Sequence, residues 1–308
     1  MYPKHNNINP IAVVMTTYNG ASFLAEQIDS ILAQTLTPSL IIVSDDCSED
    51  ETCLIVEKYQ AEGKLKLYRN ETRVGVVANF KHAISLVPTG YYFALSDQDD
   101  IWYPNKLARC FEEMQKIEIP GLPAMVYSDL CFIDATKKIL NPSFRNELGH
   151  DKYAHCLDTL LFGNFVLGCT TLCNESMKSH IAEMPVNPNF NHDAWMAMVA
   201  FCIGNTYSIN EPLVYYRKHE KNVTISEHKK SSIFKRYLQH IKFLFSQNNY
   251  LAERFTLVNL FLDKYVQSLS EEKRELLANF ISLQNKNYFV KKISFEKAFY
   301  GKWIKRFS

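Results

Sequence analysis

Asp97, Asp99 and Asp100 stand within four residues, in the segment Ser96-Asp97-Gln98-Asp99-Asp100-Ile101-Trp102. Like charges packed that closely repel one another unless a cation sits among them. Oxygen-only ligands on a loop suit Mg²⁺ or Mn²⁺, which take carboxylates together with phosphate oxygens and water. Two more acidic points share the character: Asp45-Asp46, and Asp193 behind His192. An isolated acidic turn before a helix is ordinarily a solvated cap, so the elements that deliver these residues decide between the two readings.

The acidic loop follows a run of apolar side chains, Tyr91–Leu95, itself preceded by the turn signal Pro88-Thr89-Gly90. Ile11–Thr17 and Leu40–Val43 read as buried strands in the same way, and Leu65–Tyr68 as a shorter one. Between them lie helical patterns. Phe23, Leu24, Ile28, Ile31 and Leu32 recur at helical spacing within 21–34, Ser48-Glu49-Asp50-Glu51 resembles a capping box before a helix over 52–61, and 79–86 is a third helix. Apolar strands alternating with helices predict an α/β protein with a mostly parallel sheet covered on both faces. Ligands of such sheets sit beyond the carboxyl ends of the strands. Those ends read Thr16-Thr17-Tyr18-Asn19, Asp45-Asp46-Cys47-Ser48 and Asp97-Gln98-Asp99-Asp100. Three polar ends in one crevice favour a site over a solvated turn.

The second half is less regular. A strand, or two short ones, is expected over 124–134, and another over 162–172, interrupted by Gly163 and Gly168. Residues 184–191 form a loop that delivers His192-Asp193 to a helix over 194–202, and 206–216 is a last strand. The chain of 308 residues suffices for one sizeable core with an appended subdomain. Its net charge of +1 conceals an asymmetry: residues 226–308 hold 16 Lys/Arg against 7 Asp/Glu, leaving 18 against 26 for residues 1–225. The basic segment reads as helical and suits an anionic partner, most simply a membrane surface. No CxxC pair occurs among the eight cysteines, which fit buried thiols in a reducing compartment. No run is long and apolar enough to span a bilayer, and the first residues lack a signal-peptide core. The expected location is therefore cytoplasmic, with peripheral contact at the inner face of the membrane.

Over roughly residues 9–222 the chain resembles the inverting family 2 glycosyltransferases of GT-A type. The resemblance rests on Thr16-Thr17-Tyr18-Asn19, Ser44-Asp45-Asp46-Cys47-Ser48-x-Asp50-x-Thr52, Asn79-Phe80, Ser96–Trp102 and His192-Asp193-x-Trp195, in this order and spacing. The Asp-Gln-Asp-Asp-x-Trp segment and Tyr216-Arg217-x-His219 look most like bacterial rhamnosyltransferase-type members that build surface polysaccharides. The resemblance implies a GT-A catalytic domain over 1–225 and a basic helical region over 226–308. It implies a donor site of Thr16, Thr17, Tyr18 and Asn19, with Asp46 accepting the N3–H of a pyrimidine base, and with Asn79 and Arg73 nearby. Asp97 would face the ribose or sugar side, Gln98 would belong to the donor site, and Asp99 would bind a divalent Mn²⁺ or Mg²⁺ bridging the diphosphate. Asp100 would assist Asp99 or cap the next helix, and His219, beside Arg217, would complete the metal site or stay outside it. Asp193 would act as general base or merely as a helix cap. Here His192 stands where an acidic residue is common, and it would orient the acceptor or tune Asp193. Trp102 and Trp195 accompany these motifs.

The expected function is transfer of a sugar from a nucleoside diphosphate donor to a glycan or polyprenyl-diphosphate-linked acceptor, with rhamnose from dTDP-rhamnose as the leading donor. Alternatives are a UDP-hexose or UDP-N-acetylhexosamine donor, a nucleotidyltransferase, and a non-catalytic GT-A-like binding protein. A nucleotidyltransferase would carry a Gly-rich, Lys/Arg-bearing loop after Thr17, which is missing. The aromatic, basic C-terminal region carries no nucleic-acid reader motif, so nucleic acid is not an expected partner. Membrane contact, packing on the catalytic domain and homodimerisation all remain open for it.

Overall fold

Ile11 to Met15 are five consecutive apolar residues without an outward polar face, a pattern stable as a strand only between two covering layers. They form most of β1 (Ile11–Thr17), which pairs in parallel with β2 (Leu40–Asp45) on one side and β4 (Tyr92–Ser96) on the other. β3 (Lys66–Arg69) continues the parallel set beyond β2. The computed structural model describes residues 10–187, 190–219 and 251–304. Helices α1 (Leu24–Leu32), α2 (Thr52–Ala61) and α3 (Val76–Ser85) make the crossovers between these strands. Leu24, Ile28 and Ile31 of α1 are each fully buried, at the spacing the sequence displays. Burying one such side chain contributes about 1.5–3 kcal/mol, so this stripe alone fixes the helix on its sheet.

The rest of the sheet is mixed. After β4 come β5 (Ile101–Trp102), α4 (Lys106–Ile117), β6 (Ala124–Ile133), β7 (Ile139–Asn141) and α5 (Phe144–Leu148). They are followed by α6 (Leu157–Phe162), β8 (Thr171–Cys173), α7 (Met177–Ala182), α8 (His192–Ile203) and β9 (Asn205–Arg217). Among the described residues the strand order is β3-β2-β1-β4-β8-β6-β9-β5, with β7 on β6. β8 runs antiparallel to both β4 and β6, and β5 antiparallel to β9. This arrangement carries Cys169 and Thr170, just before β8, to the carboxyl end of β4.

Three expectations change. Residues 124–133 form one strand of ten residues, all buried. Residues 162–172 are not a strand: α6 ends at Phe162, a loop follows, and only Thr171–Cys173 extend the sheet. The apolar run there is buried as helix end and loop, which hydrophobicity alone does not distinguish from strand. Ser48 does not cap α2. Its hydroxyl turns back to Asp45, while Asp50 accepts from the Thr52 amide at 3.0 Å.

Contacts divide the chain into two units, 1–152 with 164–217 and 153–163 with 218–308. Residues 153–163 group with the C-terminal part. In the second unit α9 (Ala252–Tyr265), α10 (Glu271–Ser282) and α11 (Tyr288–Ile304) pack around α6. Phe162 meets Phe280 and Phe295 edge-on, with ring centroids 5.3 and 5.8 Å apart. The helix expected just beyond Ser226 lies outside the described residues.

Candidate active site

The carboxyl end of β2 is held by its own acids. Asp45, 1% exposed, accepts from Thr17 Oγ1 at 2.7 Å, from the Ser48 amide at 2.8 Å and from Ser48 Oγ at 2.5 Å. These bonds tie the ends of β1 and β2 together and hold Cys47 at a φ of 66°, a left-handed conformation that ordinary side chains rarely adopt. Asn19 joins the same turn: its amide donates to Ser48 Oγ and its Oδ1 accepts from the Glu49 amide, both at 2.9 Å.

Asp46 reaches the other way. Its Oδ1 accepts from Asn70 Nδ2 at 3.0 Å and the Val74 amide at 2.8 Å, and its Oδ2 accepts from the Gly75 amide at 2.8 Å. The carboxylate thereby pins the loop carrying Arg73, whose guanidinium lies 3.8 Å from the centre of the Tyr18 ring. Asn79 sits deeper. It is 1% exposed and uses its amide on Ser44 Oγ, the Ser44 carbonyl and Asn70. Gln98 forms a paired contact with the Tyr18 peptide, accepting from its amide at 2.9 Å and donating to its carbonyl at 3.0 Å. A Cβ on Gly20 would lie 2.1 Å from Gln98 Oε1, so any larger residue there would push the Gln98 amide off the Tyr18 peptide.

The end of β4 is built differently. Asp100 is fully buried; one oxygen accepts from the Arg217 amide at 3.3 Å and the other has no hydrogen-bond partner. Burial and then the charges of Asp99 and Asp97 push its carboxyl well above the usual range. Asp97 is pushed up to about 7 by burial, then by the charges of Asp99 and Asp193. α4 begins at Lys106, so Asp100 does not cap that helix.

Positive charge is supplied from two sides. Arg217, 1% exposed, donates through Nε to the Asp99 carbonyl at 3.0 Å and pairs through a terminal nitrogen with Glu26 at 2.6 Å. Lys106 was not foreseen. It is fully buried, with Nζ 2.7 Å from the Cys169 carbonyl and 3.3 Å from the centre of the Trp102 ring. Burial lowers its ammonium to about 8, against the pull of Cys110, Cys169, Asp100 and Asp97. A lysine in the first turn of an amphipathic helix ordinarily reads as solvated, so nothing in the sequence marks it. Glu26 and Asn70 were missed as well, and for Glu26 the partner Arg217 lies far along the chain.

His192 and Asp193 open α8, both buried, with the Asn191 side chain at the N-cap making no capping bond. Asp193 therefore lies inside the first turn, where the helix dipole favours negative charge. The His192 ring lies against Phe80 with centroids 4.0 Å apart and the planes tilted by 31°, and neither ring nitrogen has a hydrogen-bond partner. Burial drops its pKa to about 3. A Cβ on Gly168 would lie 2.7 Å from His192 Nε2, so the imidazole fits only against a glycine. Trp195 is core, its indole N–H donating to the His180 carbonyl at 2.9 Å. Trp102 is buried beneath Lys106, Thr16 pairs with Ser44 across the sheet, and His219 lies two residues beyond β9.

A divalent ion suits these donors. Ligand atoms of Asp97, Asp100 and Cys169 lie within 4.8 Å of one another. Burial and the neighbouring carboxylates hold the Cys169 thiol well above its ordinary range, leaving carboxylate oxygen as the ligand type, which suits Mg²⁺ and Mn²⁺. An acid whose second oxygen is buried without a donor is the kind of group a cation satisfies.

Residues 12–147 match the Glycosyl transferase family 2 domain. The chain is 29% identical over 227 residues to an uncharacterized glycosyltransferase of Rickettsia prowazekii, covering 72% of this chain and 68% of the relative. It is 26% identical over 221 residues to the dTDP-rhamnosyl transferase RfbG of Shigella flexneri, covering 68% of this chain and 72% of the relative. The crystal structure of S. aureus TarS 1-349 in complex with UDP-GlcNAc superposes with a TM-score of 0.54 at 16% identity, covering 89% of this chain and 80% of that one. The chain thus carries a family 2 glycosyltransferase domain on a GT-A fold and is a glycosyltransferase.

Proposed function

We propose that this glycosyltransferase moves a sugar, with inversion at its anomeric carbon, from a nucleoside diphosphate donor to a hydroxyl of a growing cell-surface glycan. The observation that carries the reading is the acidic cluster at the carboxyl end of β4, where ligand atoms of Asp97, Asp100 and Cys169 lie within 4.8 Å of one another, together with the buried Asp193 in the first turn of α8, whose charge adds to that of Asp99 in raising Asp97. A donor-binding acid and a base on separate elements, close enough to feel one another, are what the transfer needs.

The base stacks on Tyr18 in place of Arg73, and Asp46 Oδ2, which holds one protein bond, accepts from the base N3–H. Asn79 and Gln98 act one step back, fixing the turns that carry Asp46 and Tyr18. Asp99, with Asp97 and Asp100, would hold a divalent ion, which would supply positive charge against the negative charge developing on the departing diphosphate. Asp193 takes the acceptor hydroxyl's proton as attack on the anomeric carbon develops. His192, neutral and apolar-packed, keeps the first turn of α8 in place.

For the donor, the relative that is a dTDP-rhamnosyl transferase supports dTDP-rhamnose, and the neighbour crystallised with UDP-GlcNAc supports a UDP-sugar. The acceptor is a glycan or its polyprenyl-diphosphate-linked precursor. Calorimetric titration with dTDP and UDP, each with Mn²⁺ and with EDTA, tests the site. Metal-dependent binding lost in Asp99→Ala is the expected result, and the tighter nucleotide names the donor class. No binding of either nucleotide under any condition overturns the reading.

A further inference from the structure

Helix α11 has two faces of unusual kind. Its inner face is aromatic: Phe295 and Phe299 meet Phe162, and Lys291, 8% exposed, reaches over the Phe255 ring at 5.4 Å. Its outer face is apolar as well. Phe289 is 69% exposed, Ile293 56% and Val290 39%, although a helix of a water-facing unit turns polar residues outward. Positions 289, 290, 293, 296 and 297 fall on one side of a helix, with Glu296 there the one acidic residue of α11. The stripe Phe289-Val290-Ile293 is therefore flanked by exposed Lys292 and Lys297, with Lys286 exposed just ahead. Lys292 pairs with Glu296 at 3.2 Å, an exposed pair that binds its charge weakly. α11 holds four lysines against one glutamate, within a C-terminal region of 16 basic and 7 acidic residues.

We infer that this face of α11 lies on an anionic lipid surface. Phe289, Val290 and Ile293 enter the boundary between headgroups and acyl chains, and Lys286, Lys292 and Lys297 meet the lipid phosphates. The charge decides the occupant: an apolar stripe bordered by lysines repels a second copy of itself and complements an anionic bilayer. Among the described residues no helix is long and apolar enough to cross a membrane, so contact made through α11 is peripheral. The inference deepens the proposed function by placing the enzyme where a lipid-linked acceptor resides, and vesicle binding itself requires no catalysis.

The test is co-sedimentation of the full chain with phosphatidylcholine vesicles, with and without phosphatidylglycerol. The parent protein is expected to partition onto the anionic vesicles and to be released by high salt. Phe289→Ser with Ile293→Ser lowers that partition by about tenfold or more, because binding scales with the apolar area inserted. Lys286→Gln with Lys292→Gln and Lys297→Gln reduces it to the level seen on phosphatidylcholine alone. Both variants keep parental nucleotide titrations, which separates failure of this inference from failure of the sugar-transfer reading. Absence of parental binding to anionic vesicles, or unchanged binding by the variants, overturns it. So does a parental dimer that Phe289→Ser with Ile293→Ser dissolves while vesicle binding is absent, which assigns the face to a second copy.

Discussion

The loops after β2 and after β4 present the same residue type to the same end of one sheet, and they use it in opposite ways. Asp45 and Asp46 each accept three protein hydrogen bonds, between 2.5 and 3.0 Å, and so fasten four segments of chain. Asp100 is more deeply buried, yet has one long backbone donor and an oxygen with no partner, and both it and Asp97 are pushed toward the neutral form. A carboxylate surrounded by donors stabilises the fold. One surrounded by other carboxylates weakens it, and is suited to receive a cation. The first loop shapes the donor site, and the second supplies its charge.

The largest effect that tests this division falls on neither loop. Asp193→Asn removes the proton acceptor while keeping the size of the side chain, and general-base catalysis is worth about 10²–10⁴-fold. Steady-state assays should show kcat lower by that factor, with nucleotide affinity and thermal midpoint close to the parent's. An unchanged kcat removes Asp193 from the mechanism and leaves the acids after β4 without a partner in catalysis. Next in size is Asp45→Ala. It orphans Thr17 Oγ1 and both donors of Ser48 inside the protein, and each buried donor left unpaired costs about 1–3 kcal/mol. Urea denaturation should show a loss of about 2–4 kcal/mol, independent of divalent ions. A loss that added Mn²⁺ restored would show that Asp45 belongs with the charge-bearing group.

How much of this the sequence discloses follows from where the partners lie. The parallel half of the sheet was legible because each strand is a local apolar run and each helix a local stripe; α2 lies where its pattern places it, and β1 does too. The acids were legible as a set. Their division into fasteners and charge carriers was not, because it depends on donors up to 117 residues away: Thr17 for Asp45, Val74 and Gly75 for Asp46, Arg217 for Asp100. Lys106 shows the same limit, since only the fold brings the Cys169 carbonyl over it. Residues 153–163 carry no sign of grouping with the C-terminal helices, because the aromatic contacts of Phe162 are made across more than a hundred residues.

His192 sharpens the comparison as a third kind of buried group, one with neither donors nor counter-charges. Burial holds its folded pKa near 3 against 6.5 in the open chain. Between those values the unfolded chain takes up a proton that the folded protein refuses, so stability falls as pH falls through 6.5. The rate is about 1.4 kcal/mol per pH unit once the pH is well below that value. Above pH 7 the group is neutral in both states and contributes no slope. His192→Phe keeps a ring against Phe80 and removes the titration. Denaturation from pH 7.5 to 4.5 should therefore give the variant the shallower curve by that difference. Equal slopes would mean that the imidazole finds a proton acceptor in the folded protein.

The smallest expected effect separates the two loops most directly. Asp100→Asn retains an oxygen for the Arg217 amide and removes one of the mutually repelling charges after β4. In EDTA this should leave stability unchanged or raise it by about 1 kcal/mol, because at neutral pH the ionised form is the one disfavoured by burial and by Asp99 and Asp97. With Mn²⁺ and nucleoside diphosphate present the ordering should narrow or reverse, since the parent then gains a ligand that the variant holds less tightly. Paired urea titrations under the two conditions measure the difference. If Asp100→Asn in EDTA costs as much as Asp45→Ala, then Asp100 fastens the fold as Asp45 does, and its unpartnered oxygen is only a gap in packing. If the sign differs between the two loops, sites poised to receive a cation can be told from structural acids by their response to the loss of one charge.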